Sequence, residues 1–296
     1  MLEEPKINMS KLVSIIIPCF NQEKYITDAI MSAENQTYKD IEIIFIDDCS
    51  TDGSLEVANE LKKKYTNIVV LKNETNLGVV DSRNKAIDVA KGFYILPLDG
   101  DDTIEPTYIE DAVKVFEEKP DVGFVYCKAR KFGAVNEDWN LPKFNKESFI
   151  FSNCIVNSSL FRKSDFIKLG KYKSYMYSWT EDYDLWMSFV EAGLLPYRID
   201  KILYNHREFE NGSRTQLTTK DPYFARRGYL LHHTKLYADS RECISRIFDP
   251  DYKANFYKKD RKIKKYKQIC VLETILIILL AFVILYMSIY ILDYIK

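Results

Sequence analysis

The sequence predicts an α/β fold, a mostly parallel sheet covered by helices on both faces. Three observations lead there. Over residues 12–127, short apolar β-rich runs alternate with amphipathic stretches of helix length, the pattern of strands joined by crossover helices. Two of those runs end in carboxylate clusters, and ligands of open parallel sheets bind beyond the carboxyl ends of the strands. The chain has 296 residues, 47% hydrophobic and 29% charged, which suits a sizeable core and excludes bulk disorder or collagen-like repeats.

In chain order, strands are expected at Leu12–Ile17, Ile41–Asp47, Ile68–Leu71, Phe93–Leu98 and Val122–Cys127. Helices are expected between them at Glu23–Asn35, Ser54–Tyr65, Val79–Ala90 and Pro106–Glu118. Ser54 suits a cap, and Pro106 suits a first helical turn. After Cys127 the rhythm changes. Residues 128–150 read as a long loop, followed by Cys154–Phe161, a short helix near Ser164–Leu169 and a helix at Glu181–Ala192.

The formal net charge of −1 argues against a nucleic-acid partner, but it averages two unlike parts. Residues 253–296 hold nine Lys/Arg against three acids, a net +6, leaving −7 over residues 1–252. From Thr274 to Leu292 run 19 residues without charge, Gly or Pro, about 30 Å as a helix and so the thickness of a bilayer. The run K-K-D-R-K-I-K-K-Y-K (258–267) precedes it, and such clusters stay on the cytoplasmic side against anionic headgroups. The expected organisation is therefore a body over 1–240, a basic juxtamembrane segment over 241–268 and a transmembrane helix over 269–292. The body would face the cytoplasm, anchored to the lipid bilayer by a single C-terminal pass. Met1–Ser10 lacks the apolar run of a signal peptide. Six scattered cysteines form no C-x-x-C pair, which suits a reducing compartment rather than a disulfide framework or a zinc site.

The second strand ends F-I-D-D-C-S, placing Asp47 and Asp48 at the crevice; the fourth ends L-P-L-D-G-D-D, placing Asp99, Asp101 and Asp102 there. Three carboxylates within four residues repel one another unless cations or donors offset them. Mg²⁺ or Mn²⁺ commonly bridges such groups to a diphosphate. An exposed turn is the plainer alternative, weakened by the buried strand just before it. No Gly-rich phosphate loop follows the first strand, so phosphate is expected on metal rather than on a backbone cradle.

The series S-I-I-I-P-C-F-N (14–21), I-D-D-C-S-T-D-G-S (46–54), N-L-G-V-V-D-S-R-N-K-A-I (76–87), L-D-G-D-D (98–102) and T-E-D-Y-D-L-W (180–186) resembles glycosyltransferase family 2 in order and spacing. The resemblance covers roughly residues 10–215. It implies a Rossmann-like GT-A fold, with a nucleotide-sugar half over about 10–127 and an acceptor half over about 128–240. It also implies an inverting transfer from a nucleotide-diphosphate sugar with Mn²⁺ or Mg²⁺. Residue by residue, it places Pro18 and Asp48 on the nucleotide, with Phe20 and Asn21 shaping that wall and Arg83 near the donor. Asp99 and Asp101 match the D-x-D motif, with Asp101 favoured as the direct metal ligand. Asp182 matches the general base.

Inversion at an anomeric carbon needs an in-line hydroxyl attack, and a carboxylate opposite the leaving group must take its proton. Glu181 and Asp184 flank Asp182, and like charges raise its proton affinity. The bland reading of E-D-Y-D is an acidic first turn favoured by the helix dipole. In L-Y-N-H-R-E-F-E-N-G-S-R (203–214), His206 could ligate the metal or phosphate, and Arg207, Ser213 and Arg214 could neutralise it. A surface loop explains that segment equally well. Tyr172, Tyr175, Tyr177 and Trp179 precede the base and could stack on an acceptor sugar, although packing explains most aromatics.

Together these readings predict a membrane-anchored glycosyltransferase acting on a lipid-linked glycan or surface-polysaccharide precursor, with a UDP-sugar the expected donor. One rival has polyprenyl phosphate as acceptor; its nucleophile is already ionised, which would make Asp182 dispensable. Another is a non-catalytic nucleotide-sugar-binding scaffold.

Overall fold

The computed structural model describes residues 11–174, 180–210, 229 and 232–238. The chain divides into two compact units, Met1–Ser240 and Arg241–Lys296. The basic segment and the expected membrane span at 241–292 lie outside the described residues, as do Ser213 and Arg214. Among the described residues, no helix is long and apolar enough to cross a membrane.

The first half follows the sequence closely. β1 (Val13–Cys19), β2 (Ile41–Asp47), β3 (Ile68–Lys72) and β4 (Tyr94–Pro97) form the parallel run β3-β2-β1-β4. Every residue of β1 is buried, as expected of a central strand with both faces covered. The connecting helices are α1 (Ile26–Glu34), α2 (Ser54–Lys64) and α3 (Val79–Val89). Ser54 is not the cap of α2 but its first helical residue, after Gly53. The first backbone N–H groups are taken by neighbouring carboxylates instead: Gly53 N donates to Glu23 Oε2 at 3.1 Å and Ser54 N to Asp52 Oδ1 at 3.1 Å.

Beyond β4 the sheet becomes mixed, in the order β3-β2-β1-β4-β8-β6-β9-β5 with β7 paired to β6. β5 (Thr103–Ile104) leads into α4 (Tyr108–Glu118) and β6 (Phe124–Gly133). β7 (Glu137–Trp139), α5 (Lys146–Phe149), β8 (Leu160–Arg162) and α6 (Lys163–Lys168) follow. α7 (Glu181–Glu191), β9 (Pro196–Glu208) and α8 (Thr234–Ala238) complete the described elements. The expected loop at 128–150 is thus largely replaced by the end of β6, β7 and α5. β8 runs antiparallel to both β4 and β6, while β9 is parallel to β6.

Two packing features place the site. Trp186 of α7 is fully buried and stacks on Phe124 at 4.7 Å, with Phe161 and Phe189 closing the cluster. That seats α7 against β6 and β8. In the β6–β9 ladder the register shifts around Lys128, and bulges of this kind bend and twist a strand. Past the shift, β9 pairs with β5 through Thr103↔Asn205 and Ile104↔Tyr204, next to the Asp99–Asp102 turn.

Candidate active site

The crevice opens at the carboxyl ends of β1, β2 and β4. Pro18 is buried in β1, and Phe20 is half-buried just after it. Asn21 adopts φ 55°, a left-handed conformation that Asn tolerates better than most residues. Its Oδ1 accepts from Thr51 N at 2.8 Å and its N donates to Ser50 Oγ at 3.0 Å, tying the loops after β1 and β2 together. Asp48 is 3% exposed and holds the loop before α3. It accepts from Leu77 N and Gly78 N, both at 2.8 Å, and from Asn73 Nδ2 at 2.9 Å. This carboxylate builds the wall, and little of it faces solvent.

Arg83 lies on the buried face of α3 and joins two carboxylates from distant parts of the chain. One guanidinium nitrogen bonds Glu181 at 2.5 Å and another bonds Asp99. The guanidinium also lies 5.6 Å from the Tyr172 ring centroid. Tyr172 is 3% exposed, so it packs under Arg83 rather than offering a face to an acceptor. Burial opposes charge on Arg83, but Asp99 and Glu181 outweigh it and raise its pKa far above the ordinary value. Asn157 Nδ2 donates to the same Asp99 oxygen at 3.2 Å. Three buried polar atoms of this cluster, Arg83 Nε, Asn157 Oδ1 and Glu181 Oε2, have no hydrogen-bond partner among the described residues.

The D-G-D-D turn divides its labour. Asp102 is 1% exposed and anchors β9: it accepts from Tyr204 Oη, from Arg207 N at 2.8 Å and from His206 Nδ1 at 3.3 Å. Asp101 receives no side-chain hydrogen bond from the described residues. Burial first, then the charges of Asp102 and Asp99, push its pKa up to about 7. Burial works against charge on His206, but the bond to Asp102 and the fields of Asp101 and Asp99 push it up to about 9. Nδ1 faces Asp102, which leaves Nε2 as the ring nitrogen open to a metal or a phosphate. Arg207 donates Nε to Asp101 O and Nη2 to Asp28 Oδ2, both at 2.9 Å, and is held between Tyr25 and Phe132. The segment 203–208 is therefore a strand end clamped to the acidic turn, not a free loop.

Asp182 sits in the first turn of α7. Burial and the adjacent Glu181 raise its pKa to about 7. Its Oδ1 accepts from Tyr183 N at 2.7 Å, and Asn153 Nδ2 stands 3.5 Å from Oδ2. Glu181, also raised by burial, binds Arg83 beside it. Asp184 is not part of this group. It is buried and takes His233 Nε2 at 3.1 Å. Trp179, Tyr175 and Tyr177 lie outside the described residues. Sequence reasoning missed Asn153 and Asn157. They come from a stretch without helical or strand periodicity, and lone asparagines carry no spacing signal.

Among the described residues, no three His, Cys, Asp or Glu side chains converge as a metal site. The donor set nevertheless fits a hard cation. Asp101 lies in an excess of negative charge, and both donors on Asp99 fall on Oδ1. Mg²⁺-type ions are commonly held by one or two carboxylates plus substrate phosphates and water.

A sheet switching from parallel to mixed, with an acidic turn after β4 and a carboxylate opening a later helix, defines a GT-A-like glycosyltransferase fold. The family model for Glycosyl transferase family 2 matches residues 14–180. Hyaluronan synthase of Pasteurella multocida is 31% identical over 211 residues, which are 69% of this chain and 21% of that protein. An uncharacterized glycosyltransferase of Methanocaldococcus jannaschii is 32% identical over 206 residues, 64% of this chain and 71% of that protein. Among solved structures, residues 1–349 of S. aureus TarS superpose with a TM-score of 0.67 at 22% identity, covering 88% of this chain and 77% of that one. TarS has also been solved with UDP and with UDP-GlcNAc. The chain belongs to glycosyltransferase family 2 and is a glycosyltransferase.

Proposed function

We propose that this enzyme transfers a sugar, with inversion, from a nucleotide-diphosphate donor to a hydroxyl of a lipid-linked glycan or surface-polysaccharide precursor at the cytoplasmic membrane face. The observation that carries the reading is Asp182, a carboxylate of raised basicity at a helix start, beside the Arg83–Asp99–Glu181 cluster. The Asp182 carboxylate takes the acceptor proton as the oxygen forms its bond to the anomeric carbon. The bond from that carbon to the diphosphate oxygen breaks on the opposite face, and its electron pair leaves with the nucleotide. General-base help of this kind contributes about 10²–10⁴-fold.

Arg83 holds Asp99 and Glu181 in place, so the donor-side and base-side carboxylates form one rigid unit. Pro18, Phe20, Asn21 and Asp48 form the nucleotide wall. Asp101 and the second oxygen of Asp99 would hold Mn²⁺ or Mg²⁺, which when bound stabilises charge on the departing diphosphate. A UDP-linked donor is supported by the TarS complexes, and a glycan acceptor by the hyaluronan synthase relative. The apolar run at 274–292 supports the membrane anchor.

The test is a donor panel with Mn²⁺, scored for UDP or GDP release against membrane extracts. Release is expected with one nucleotide class, to be abolished by EDTA and restored by Mn²⁺ or Mg²⁺. Undiminished release by Asp101→Ala would overturn the metal assignment.

A further inference from the structure

A cavity of about 450 Å³ lies between α6, α7 and α8, within the range of about 300–1,000 Å³ usual for small-ligand sites. Its α7 lining includes Asp184 and Glu191, on the helix face roughly opposite Asp182, so it is separate from the crevice where the sugar is transferred. The charge around it is lopsided. Lys168, Lys173 and Lys235 line the cavity, and none of them pairs with a carboxylate among the described residues.

The two acids in the lining are already engaged. His233, 3% exposed, places Nε2 3.1 Å from Asp184 Oδ1 and Nδ1 3.1 Å from Glu191 Oε2, and Leu236 N donates to the other Glu191 oxygen at 3.2 Å. A ring that donates from both nitrogens is an imidazolium. The acids are thus tied to His233 and α8. Lys173 Nζ donates to Leu169 O at 3.0 Å and to Gly170 O at 2.7 Å, neutral carbonyls that leave its charge uncancelled, so the lining sets three lysines against two carboxylates that are already engaged. Like charges gathered around a concave surface repel until an anion enters, and they draw one in.

We infer that this cavity is a second substrate subsite, which binds a phosphate group on the acceptor chain. The acceptor part of the inference rests on the proposed transfer to a glycan; the binding of phosphate does not. A concave cavity with a hydrogen-bonded floor suits a discrete phosphate, whereas a lipid surface is met by a basic cluster at the membrane plane. Phosphate entering here would bridge lysines of α6, of the turn after it and of α8, holding an anionic chain on the far side of the helix that presents Asp182.

The binding experiment titrates inorganic phosphate into the full-length protein and follows hydrogen exchange over 184–192 and 232–237. Protection is expected in the wild type and in Asp182→Asn. The midpoint should rise at least tenfold in the triple variant Lys168→Ala, Lys173→Ala, Lys235→Ala, and should recover when the same lysines become arginine. Equal midpoints in the wild type and the triple alanine variant would overturn the site. Protection by anionic-lipid vesicles but not by phosphate would also overturn it. In the transfer assay, the triple alanine variant should raise KM for a phosphate-bearing acceptor at least fivefold, leaving donor KM and neutral acceptors unchanged. An unchanged KM there would overturn the acceptor role. Absence of any transfer by the wild type would count against the proposed function, and the exchange result would stand apart from it.

Discussion

At Asp182 the proposed chemistry and the stability of the protein pull in opposite directions. Burial and Glu181 raise its pKa to about 7, so the folded protein holds this proton more tightly than the unfolded chain, where a carboxylate titrates near 4. Its contribution to stability is therefore full below about pH 4 and is lost as pH rises through about 7. The proposed general-base role needs the opposite state. Turnover should climb with pH through about 7 and then level, provided the acceptor is a hydroxyl. Asp182→Asn should lower kcat by at least about 10²-fold with donor KM unchanged. The same substitution should raise the melting temperature more at pH 8 than at pH 5, since Asn cannot ionise. A kcat within threefold of wild type would instead favour an acceptor already ionised, such as a polyprenyl phosphate. Arg83 presents the complementary case. Replacing it with Met strands two carboxylates, Glu181 in particular at 4% exposure, and breaking a buried pair from one side costs about 3–5 kcal/mol. Urea unfolding of Arg83→Met should show a loss of that order, beyond what a surface arginine would produce.

At the level of elements, the site depends on strands that leave little trace in the sequence. β1, β2 and β4 are legible because a strand covered on both faces must be apolar throughout, and their Asp-bearing ends are legible with them. β9 is not, because in P-Y-R-I-D-K-I-L-Y-N-H-R-E the period-2 alternation that marks a half-buried strand breaks at Asp200–Lys201 and again across Ile202–Tyr204. The second half of β6, K-A-R-K-F-G, escapes for the same reason. The pairing of Arg83 with both Asp99 and Glu181 is equally hidden, since it joins residues 16 and 98 positions away through fold-level contacts. Even so, the placement of β9 can be tested at one residue. Gly123 N donates to Leu195 O at 2.8 Å, and a Cβ at Gly123 would lie 2.5 Å from the Leu194 carbonyl carbon and oxygen. Backbone cannot yield as a side chain can. Gly123→Ala should cost about 1–3 kcal/mol in chemical denaturation and should disturb the Tyr204–His206–Arg207 clamp on Asp102. Activity should then fall further than the lost stability alone explains at temperatures where the variant is folded.

Over the whole chain, a net charge of −1 is the sum of an acidic body and a basic tail with separate work to do. The body's −7 over residues 1–252 includes the crevice carboxylates, which Arg83, Arg207 and a bound divalent cation would offset in part. The tail combines eight Lys/Arg between Lys253 and Lys267 with the apolar run from Thr274 to Leu292, and the two features make distinguishable predictions about membrane attachment. A purely electrostatic tether draws about 1 kcal/mol from each basic residue near an anionic surface and is screened within a Debye length, so raising salt should release it. A spanning helix is held by burial of apolar side chains and is indifferent to salt. The proposed anchor therefore predicts that the intact chain stays in the membrane pellet through both high-salt and alkaline carbonate washes. A chain lacking 269–296 but keeping the basic run should pellet at low salt and be released at high salt. It should still turn over a water-soluble acceptor while losing rate on a membrane-bound one, because tethering raises the effective concentration of enzyme at its substrate. Release of the intact chain by carbonate would remove the span from the account and leave the basic run as a surface contact.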